Sequence, residues 1–93
     1  SGIKAGSGIE AGEGIKAGSG IEAGEGIKAG WGIKAGSGIK AGFSINCKLN
    51  IMVGLRIFAG LCAWRKPSQE EQQINCRKLE SGEVAYGNLI ETH

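Results

Sequence analysis

The chain has few of the residues on which most catalytic sites depend. Its 93 residues include one histidine, His93, one proline, Pro67, and no aspartate, and aromatic residues make up 5%. A histidine-based site would have to use the last residue, and no DxD, GxSxG or P-loop pattern occurs. Since an active site needs convergent acid, base or nucleophilic groups, we expect no enzyme activity, no cofactor and no small-molecule substrate.

Strong charge and long apolar runs are also absent. The 11 Lys and Arg residues against 9 acidic residues give a net charge of +2. This balance predicts only weak attraction to nucleic acid or to an anionic membrane, and it excludes an acidic DNA mimic. No run approaches the roughly 18 apolar residues of a membrane span, and no segment is typical of a signal peptide. We therefore expect a cytoplasmic protein with neither a membrane nor a nucleic acid as partner.

Cysteine is too scarce, and wrongly spaced, for a disulfide framework or a metal site. The chain has an odd number of cysteines, and no two of them form a CxxC pair. The three are Cys47, Cys62 and Cys76. The pattern favours free thiols in a reducing compartment and predicts no metal site. The chain begins in mid-repeat at Ser1 without a methionine, so we expect that residues precede it in the full protein.

Glycine, by contrast, is abundant, and it belongs to a repeat. The chain contains 18 glycines, and residues 7–18 and 19–30 share the letters SGIEAGEGIKAG. The finer unit is the hexad Ile-x-Ala-Gly-x-Gly, which stays in phase to about residue 60 although its glycines thin out after Gly42. The hexads begin at Ile3, Ile9, Ile15, Ile21, Ile27, Ile33, Ile39, Ile45, Ile51 and Ile57.

The hexad predicts short strands joined by glycine corners. Ile and Ala two residues apart point to one face of a strand, and the Lys or Glu between them points outward. We expect Gly-x-Gly to supply positive φ angles at a sharp corner. So many glycines exclude a helix, and their alternating spacing excludes collagen. The pattern therefore indicates an all-β fold, a β-solenoid with Ile and Ala inside.

Charges along the repeat predict how many hexads form one coil. With two hexads per coil, Lys4, Lys16, Lys28 and Lys40 would stack as one row of like charge, which is unfavourable. With three, Lys4 would lie over Glu22 and Glu10 over Lys28, and only Lys16 and Lys34 would repel. We therefore predict a triangular coil of 18 residues. The 12-residue duplication favours the two-hexad alternative.

These hexads resemble the hexapeptide-repeat β-solenoid proteins, the left-handed β-helix group, over residues 1–60. That family usually places its small residue before the aliphatic one, whereas here Ala follows Ile. The acyltransferases of the family use a catalytic histidine that has no counterpart in this sequence. The glycine-rich Ile-x-Ala-Gly array also looks like small proteins of bacterial prophages and mobile elements.

The rest of the chain predicts a division into three parts. Residues 1–63 form the solenoid, glycine-rich over 1–42 and bulkier over 43–63, where every odd position is apolar. Residues 64–73 form a polar loop, and residues 74–93 form a C-terminal β-hairpin cap with strands at 74–79 and 84–90. The triplet Ile-Asn-Cys occurs at both 45–47 and 74–76, which indicates related strand environments.

The fifth hexad position predicts an external apolar stripe. Glutamate occupies it at Glu13 and Glu25, so this position faces outward or lies at a corner. An exposed apolar stripe needs a cover, which is either the hairpin 74–90 or an interface with a second copy of the chain or a protein partner, with Trp31 as the anchor. The stripe comprises Trp31, Phe43, Leu49, Leu55 and Leu61.

Basic residues offer a second candidate surface, although rows of Lys and Glu are also typical of a solvated face. Two basic pairs near the cap could meet as a small patch. The charged recognition surface comprises Lys28, Lys34, Lys40, Arg65, Lys66, Arg77 and Lys78.

Together these features predict a non-catalytic binding protein, a rigid solenoid that engages a protein partner. The likeness to prophage proteins implies an inhibitor of a host defence complex, similar to an anti-CRISPR protein. The alternative is a self-assembling solenoid that forms dimers or filaments through an open end. An ice-binding solenoid is disfavoured because Thr92 is the only threonine.

Overall fold

A computed structural model of the chain describes residues 2–62 and 66–92. Apart from a 3₁₀ turn at Glu70–Gln72, all of the regular structure in this part is β. The strands are β1 (Ile3–Ala5), β2 (Ile9–Ala11), β3 (Ile15–Ala17), β4 (Ile21–Ala23), β5 (Ile27–Ala29), β6 (Ile33–Ala35), β7 (Ile39–Ala41), β8 (Ile45–Cys47), β9 (Asn50–Ala59), β10 (Gln73–Cys76), β11 (Lys78–Tyr86) and β12 (Asn88–Glu91).

The strands stack in parallel on three walls. The first wall contains β1, β4 and β7, followed by the second halves of β9 and β11. The second wall contains β2, β5, β8, β10 and β12. The third wall contains β3 and β6, followed by the first halves of β9 and β11. The predicted β-solenoid is therefore confirmed.

The coil length is also as predicted. Ile3 pairs with Ile21, Ile21 with Ile39 and Ile39 with Ile57, which sets a spacing of 18 residues on the first wall. The chain completes about five turns. Each regular coil therefore uses three hexads, one for each wall.

The interior consists of the isoleucine and alanine columns that the hexad predicts. From Ile15 onward, both apolar positions of nearly every repeat strand are buried, and the lysines between them are exposed. Each buried isoleucine contributes about 1.5–3 kcal/mol through removal of apolar surface from water. Isoleucine also suits a stacked strand because its β-branched side chain packs well on a pleated surface.

The glycines have a different role from the one predicted. Among the described residues, only Gly60, Gly82 and Gly87 have positive φ, and of these only Gly60 occupies a hexad position, directly after the end of β9. Instead, a Cβ added to Gly30 would overlap the carbonyl of Gly12 in the preceding coil. Glycine is therefore needed at this corner because two backbones approach closely, and not because the chain turns through a left-handed conformation.

Residues 50–59 form one continuous strand that passes from the third wall to the first. Ile51 and Val53 are buried on the third wall, and Ile57 and Ala59 are buried on the first. Leu55 lies between the two halves and is exposed. The alternating apolar pattern of this region thus continues the coils with larger side chains.

The regular repeat is interrupted after the corner at residues 60–62, which still bonds to the preceding coil, and the chain rejoins the coil at β10. Ile74 pairs with Ile45, and Asn75 with Asn46, so the two Ile-Asn-Cys triplets stack on the second wall. Their spacing is 29 residues, against 18 in the regular coils. The loop is therefore an insertion in the fourth coil, and the related strand environments predicted from the triplets are confirmed.

The C-terminal segment differs from the predicted hairpin. β10 pairs in parallel with both β8 and β12, and β11 pairs in parallel with β9. Glu80-Ser81-Gly82-Glu83, predicted as a hairpin turn, lies inside β11, where irregular register absorbs the extra residues. The predicted hairpin cap is thus wrong. This segment continues the solenoid because the edge of the preceding coil offers parallel hydrogen bonds.

Candidate interaction surface

The corner between the second and third walls carries the most exposed aromatic side chain of the described residues. Backbone hydrogen bonds stack the corner: Trp31 N donates to Glu13 O at 3.1 Å, and Leu49 N donates to Trp31 O at 3.1 Å. In the next coil, Arg77 N donates to Leu49 O at 2.7 Å. Glu13, Trp31, Leu49 and Arg77 therefore form one column, which we call the tryptophan corner.

Two apolar side chains of the tryptophan corner face solvent. Trp31 is 55% exposed and Leu49 is 43% exposed. A tryptophan in this state leaves more than half of its area in solvent, so it contributes less to the stability of the fold than a buried tryptophan would. The corner can hold these residues because its backbone is fixed by the coils on both sides.

The predicted apolar stripe is not one surface. Trp31 and Leu49 share the tryptophan corner, whereas Phe43 and Leu61 follow the first wall. Leu55 lies at the third corner, where its N–H donates to Ser37 O at 2.7 Å. Because successive hexads lie on successive walls, the fifth positions of neighbouring hexads point in three directions.

The segment 74–90 does not cover the stripe either. It stacks on the end of the solenoid, and Trp31, Leu49, Leu55 and Leu61 remain exposed. The predicted cover is therefore wrong, since strands that extend the coils cannot also lie across the outside of the corners. The interface proposed for these residues stays a prediction.

The predicted charged surface is divided in the same way. Lys28 lies on the second wall, Lys34 on the third and Lys40 on the first. Lys66 is exposed in the loop, and Arg77 and Lys78 are exposed at the start of β11. Arg65 lies outside the described residues. A partner that contacts one wall cannot contact all of these residues.

Charge along the first two walls alternates as the sequence predicted. On the first wall, Lys4 pairs with Glu22, with an Nζ–Oε1 distance of 3.7 Å, and Glu22 pairs with Lys40. On the second wall, Glu10 pairs with Lys28. On each of these two walls, opposite charges therefore lie next to each other on neighbouring coils.

In the described residues, the outward side chains of the third wall show no such alternation of charge. Lys16 lies in register with Lys34, and Lys34 with Met52, which is 38% exposed. A depression of about 380 Å³ is lined by Lys16, Lys34, Met52 and Trp31, among others. Sequence reasoning included neither Lys16 nor Met52 in a site, although a step of 18 residues from Lys34 in each direction leads to them.

The thiols lie mostly inside the fold. Cys76 is buried, and Cys47 is half-buried with its Sγ 3.6 Å from Leu49 O. Burial raises the pKa of Cys47 to about 12, the neighbouring Cys76 adds to this effect, and a hydrogen bond with the Leu49 backbone opposes it. Burial also raises the pKa of Cys76, and the Glu91 carboxylate adds to this effect. Both thiols therefore remain protonated and poorly nucleophilic at neutral pH.

The described residues contain no cluster of three or more His, Cys, Asp or Glu side chains that could hold a metal ion. No helix in residues 2–62 and 66–92 is long and apolar enough to cross a membrane. Neither a protein family, nor a curated protein, nor a solved structure matches this chain.

Proposed function

We propose that the chain is a non-catalytic binding protein, a rigid solenoid that engages a protein partner through its outer surface. The observation that carries this proposal is the exposure of Trp31, at 55%, on a corner held by backbone hydrogen bonds. Exposed aromatic residues on rigid supports are favourable anchors, because binding buries a large area at little conformational cost.

The test combines capture with mutation. The immobilised chain is exposed to an extract of the source cells, and the retained proteins are identified by mass spectrometry for wild type and Trp31→Ala. The proposal expects a protein that wild type retains and Trp31→Ala loses by at least about tenfold. The circular dichroism of the variant should be unchanged, because Trp31 lies outside the interior.

Self-association is the second candidate, and the same exposed corner residues favour it. Light scattering over a concentration series separates the two functions. A mass that stays at 9.6 kDa agrees with a foreign partner. A mass that rises with concentration for wild type and not for Trp31→Ala, without any retained protein, would replace the proposal with self-assembly.

A narrower proposal is that the partner belongs to a host defence complex, so that the chain acts as a phage-type inhibitor similar to an anti-CRISPR protein. Its support is the likeness of the glycine-rich hexads to small prophage proteins, together with the small size of the chain. Phage plaques counted on bacteria with an active CRISPR system, with and without the expressed chain, test this proposal. An unchanged plaque count across the CRISPR types would exclude it.

A further inference from the structure

We infer that the third wall, together with the tryptophan corner, is the partner-binding face, and that it takes an acidic protein segment bearing an apolar side chain. The inference rests on the proposed binding function and adds the place and chemistry of the contact. It depends on how charge and apolar area are distributed over the three walls.

The first step is the charge of the wall. Lys16 and Lys34 lie side by side on adjacent coils, where strands are about 4.8 Å apart. Like charges directly opposite each other on neighbouring strands destabilise a sheet. The fold gains nothing from the pair, but a bound carboxylate between the two ammonium groups would remove the repulsion.

The second step is the apolar area around the lysines. The described residues include eight exposed large hydrophobic side chains, and four of them border this wall. Trp31 and Leu49 stand on one side, Met52 follows Lys34 on the wall itself, and Leu55 is 65% exposed at the other corner. A partner that buries this area must be apolar as well as acidic.

The acidic residues near the wall lie at its margins. Glu13 stands below Trp31 on the tryptophan corner, and Glu80 belongs to the irregular part of β11. The Glu83 carboxylate lies 3.7 Å from Arg56 Nε. At the same end of the wall, Arg77 and Lys78 add two positive charges. The carboxylates at the margins therefore do not neutralise the charge of Lys16 and Lys34.

Charge complementarity selects the occupant. A second copy that used the same face would bring Lys16 and Lys34 against the same pair, and this would repel. A nucleic acid needs a longer basic track than two lysines set among apolar side chains. A protein segment with carboxylates on either side of an aromatic or aliphatic residue fits both the lysine pair and the surface beside Trp31.

The test uses a fluorescein-labelled peptide with a central phenylalanine, glutamates on both sides, and flanking glycine and serine. Its binding is followed by fluorescence anisotropy. The informative variant is Lys16→Glu/Lys34→Glu, and Lys28→Glu/Lys40→Glu is the matched control with the same net charge and the same hexad positions on the other walls. Circular dichroism verifies that both variants are folded.

We expect the third-wall variant to bind the peptide at least about tenfold more weakly than wild type, and the control to stay within about twofold. A peptide with lysine in place of glutamate should not bind wild type. The inference is overturned if both variants lose affinity equally, if wild type does not bind the glutamate peptide, or if a thymidine oligonucleotide of equal charge binds wild type more tightly.

The capture experiment separates this inference from the proposed function. If a protein is retained through Trp31 but is insensitive to Lys16→Glu/Lys34→Glu, the chain is a binding protein with a partner of different chemistry. The inference then fails and the proposed function stands. If the retained protein is lost with the third-wall variant and kept by the control, both are supported.

Discussion

Asn75 Nδ2 donates a hydrogen bond of 2.9 Å to Asn46 Oδ1, which joins two side chains 29 residues apart in sequence. Asn46 Nδ2 in turn donates to Ser44 Oγ at 3.1 Å. The chain thus returns from the inserted loop with matching side chains stacked on the second wall. The amide pair helps to fix the register at the position where the regular repeat has been interrupted.

Replacing the amide should therefore loosen the last coils. We expect Asn75→Ala to lower the free energy of unfolding by about 1 kcal/mol, through loss of one partly buried hydrogen bond. Asn88→Ala, an exposed change on β12 of the same wall, should cost less than about 0.5 kcal/mol. Urea unfolding followed by circular dichroism measures both, and equal effects would show that the amide pair does not fix the register.

Two glycines at equivalent corners should differ in their tolerance of alanine. A Cβ on Gly30 would overlap the Gly12 carbonyl, whereas a Cβ on Gly12 meets nothing within 4 Å. We expect Gly30→Ala to destabilise the fold by about 1–3 kcal/mol, and Gly12→Ala to be neutral or slightly stabilising. Thermal unfolding of the two variants checks this, and a similar loss in both would indicate that corner conformation is the limiting factor.

The interior should reject charge while the outer position tolerates polar substitution. Ile27→Asp places an unpaired carboxylate in the core and should cost at least about 4 kcal/mol. Lys28→Asn is the neighbouring control, because Asn46 already occupies that position in the next coil. A cooperatively folded Ile27→Asp chain, detected by circular dichroism and urea unfolding, would contradict the assignment of the interior.

The pKa of Cys47 predicts slow alkylation. At pH 9 an ordinary thiol is about half ionised, whereas a thiol with a pKa of about 12 is ionised to about one part in a thousand. Since the thiolate is the nucleophile, iodoacetamide should label Cys47 at least about a hundredfold more slowly in the folded chain than in urea. The rate should rise steadily with pH above 9 instead of levelling off. Peptide mass spectrometry measures it, and equally fast labelling in both states would contradict burial of the thiol.

The coils could be predicted from sequence because each carries the same local information several times. Ile and Ala two residues apart define an interior face. The charges of Lys4, Glu22 and Lys40 favour a coil of 18 residues, in which opposite charges are neighbours. The C-terminal strands could not be assigned in this way. Alternating apolar residues are equally typical of antiparallel hairpins and of parallel coils. The pattern around Val84 therefore does not indicate which strand it pairs with.

The candidate surface was predicted only in part. The large side chain of Trp31 and its outward position predict an anchor, and the structure shows this side chain exposed. The predicted stripe, however, groups Trp31 with fifth positions of successive hexads, which lie on different walls. A step of 18 residues pairs Trp31 with Leu49, and Phe43 with Leu61, so the division into separate corners follows once the coil length is applied to every position.

The duplicated unit has 12 residues and the coil has 18, so equivalent residues of successive units lie on different walls. Lys16 and Lys28 are the same letter of the duplicated unit, yet Lys16 lies beside Lys34 and Lys28 beside Glu10. Three copies of the unit would span two coils before the pattern recurred on the same wall. Because 18 residues are one and a half units, the Lys and Glu of the unit itself would alternate on every wall, and the third wall differs because Lys34 stands where a further copy of the unit would place Glu. A single departure from a repetitive sequence therefore gives one of the three walls a different charge.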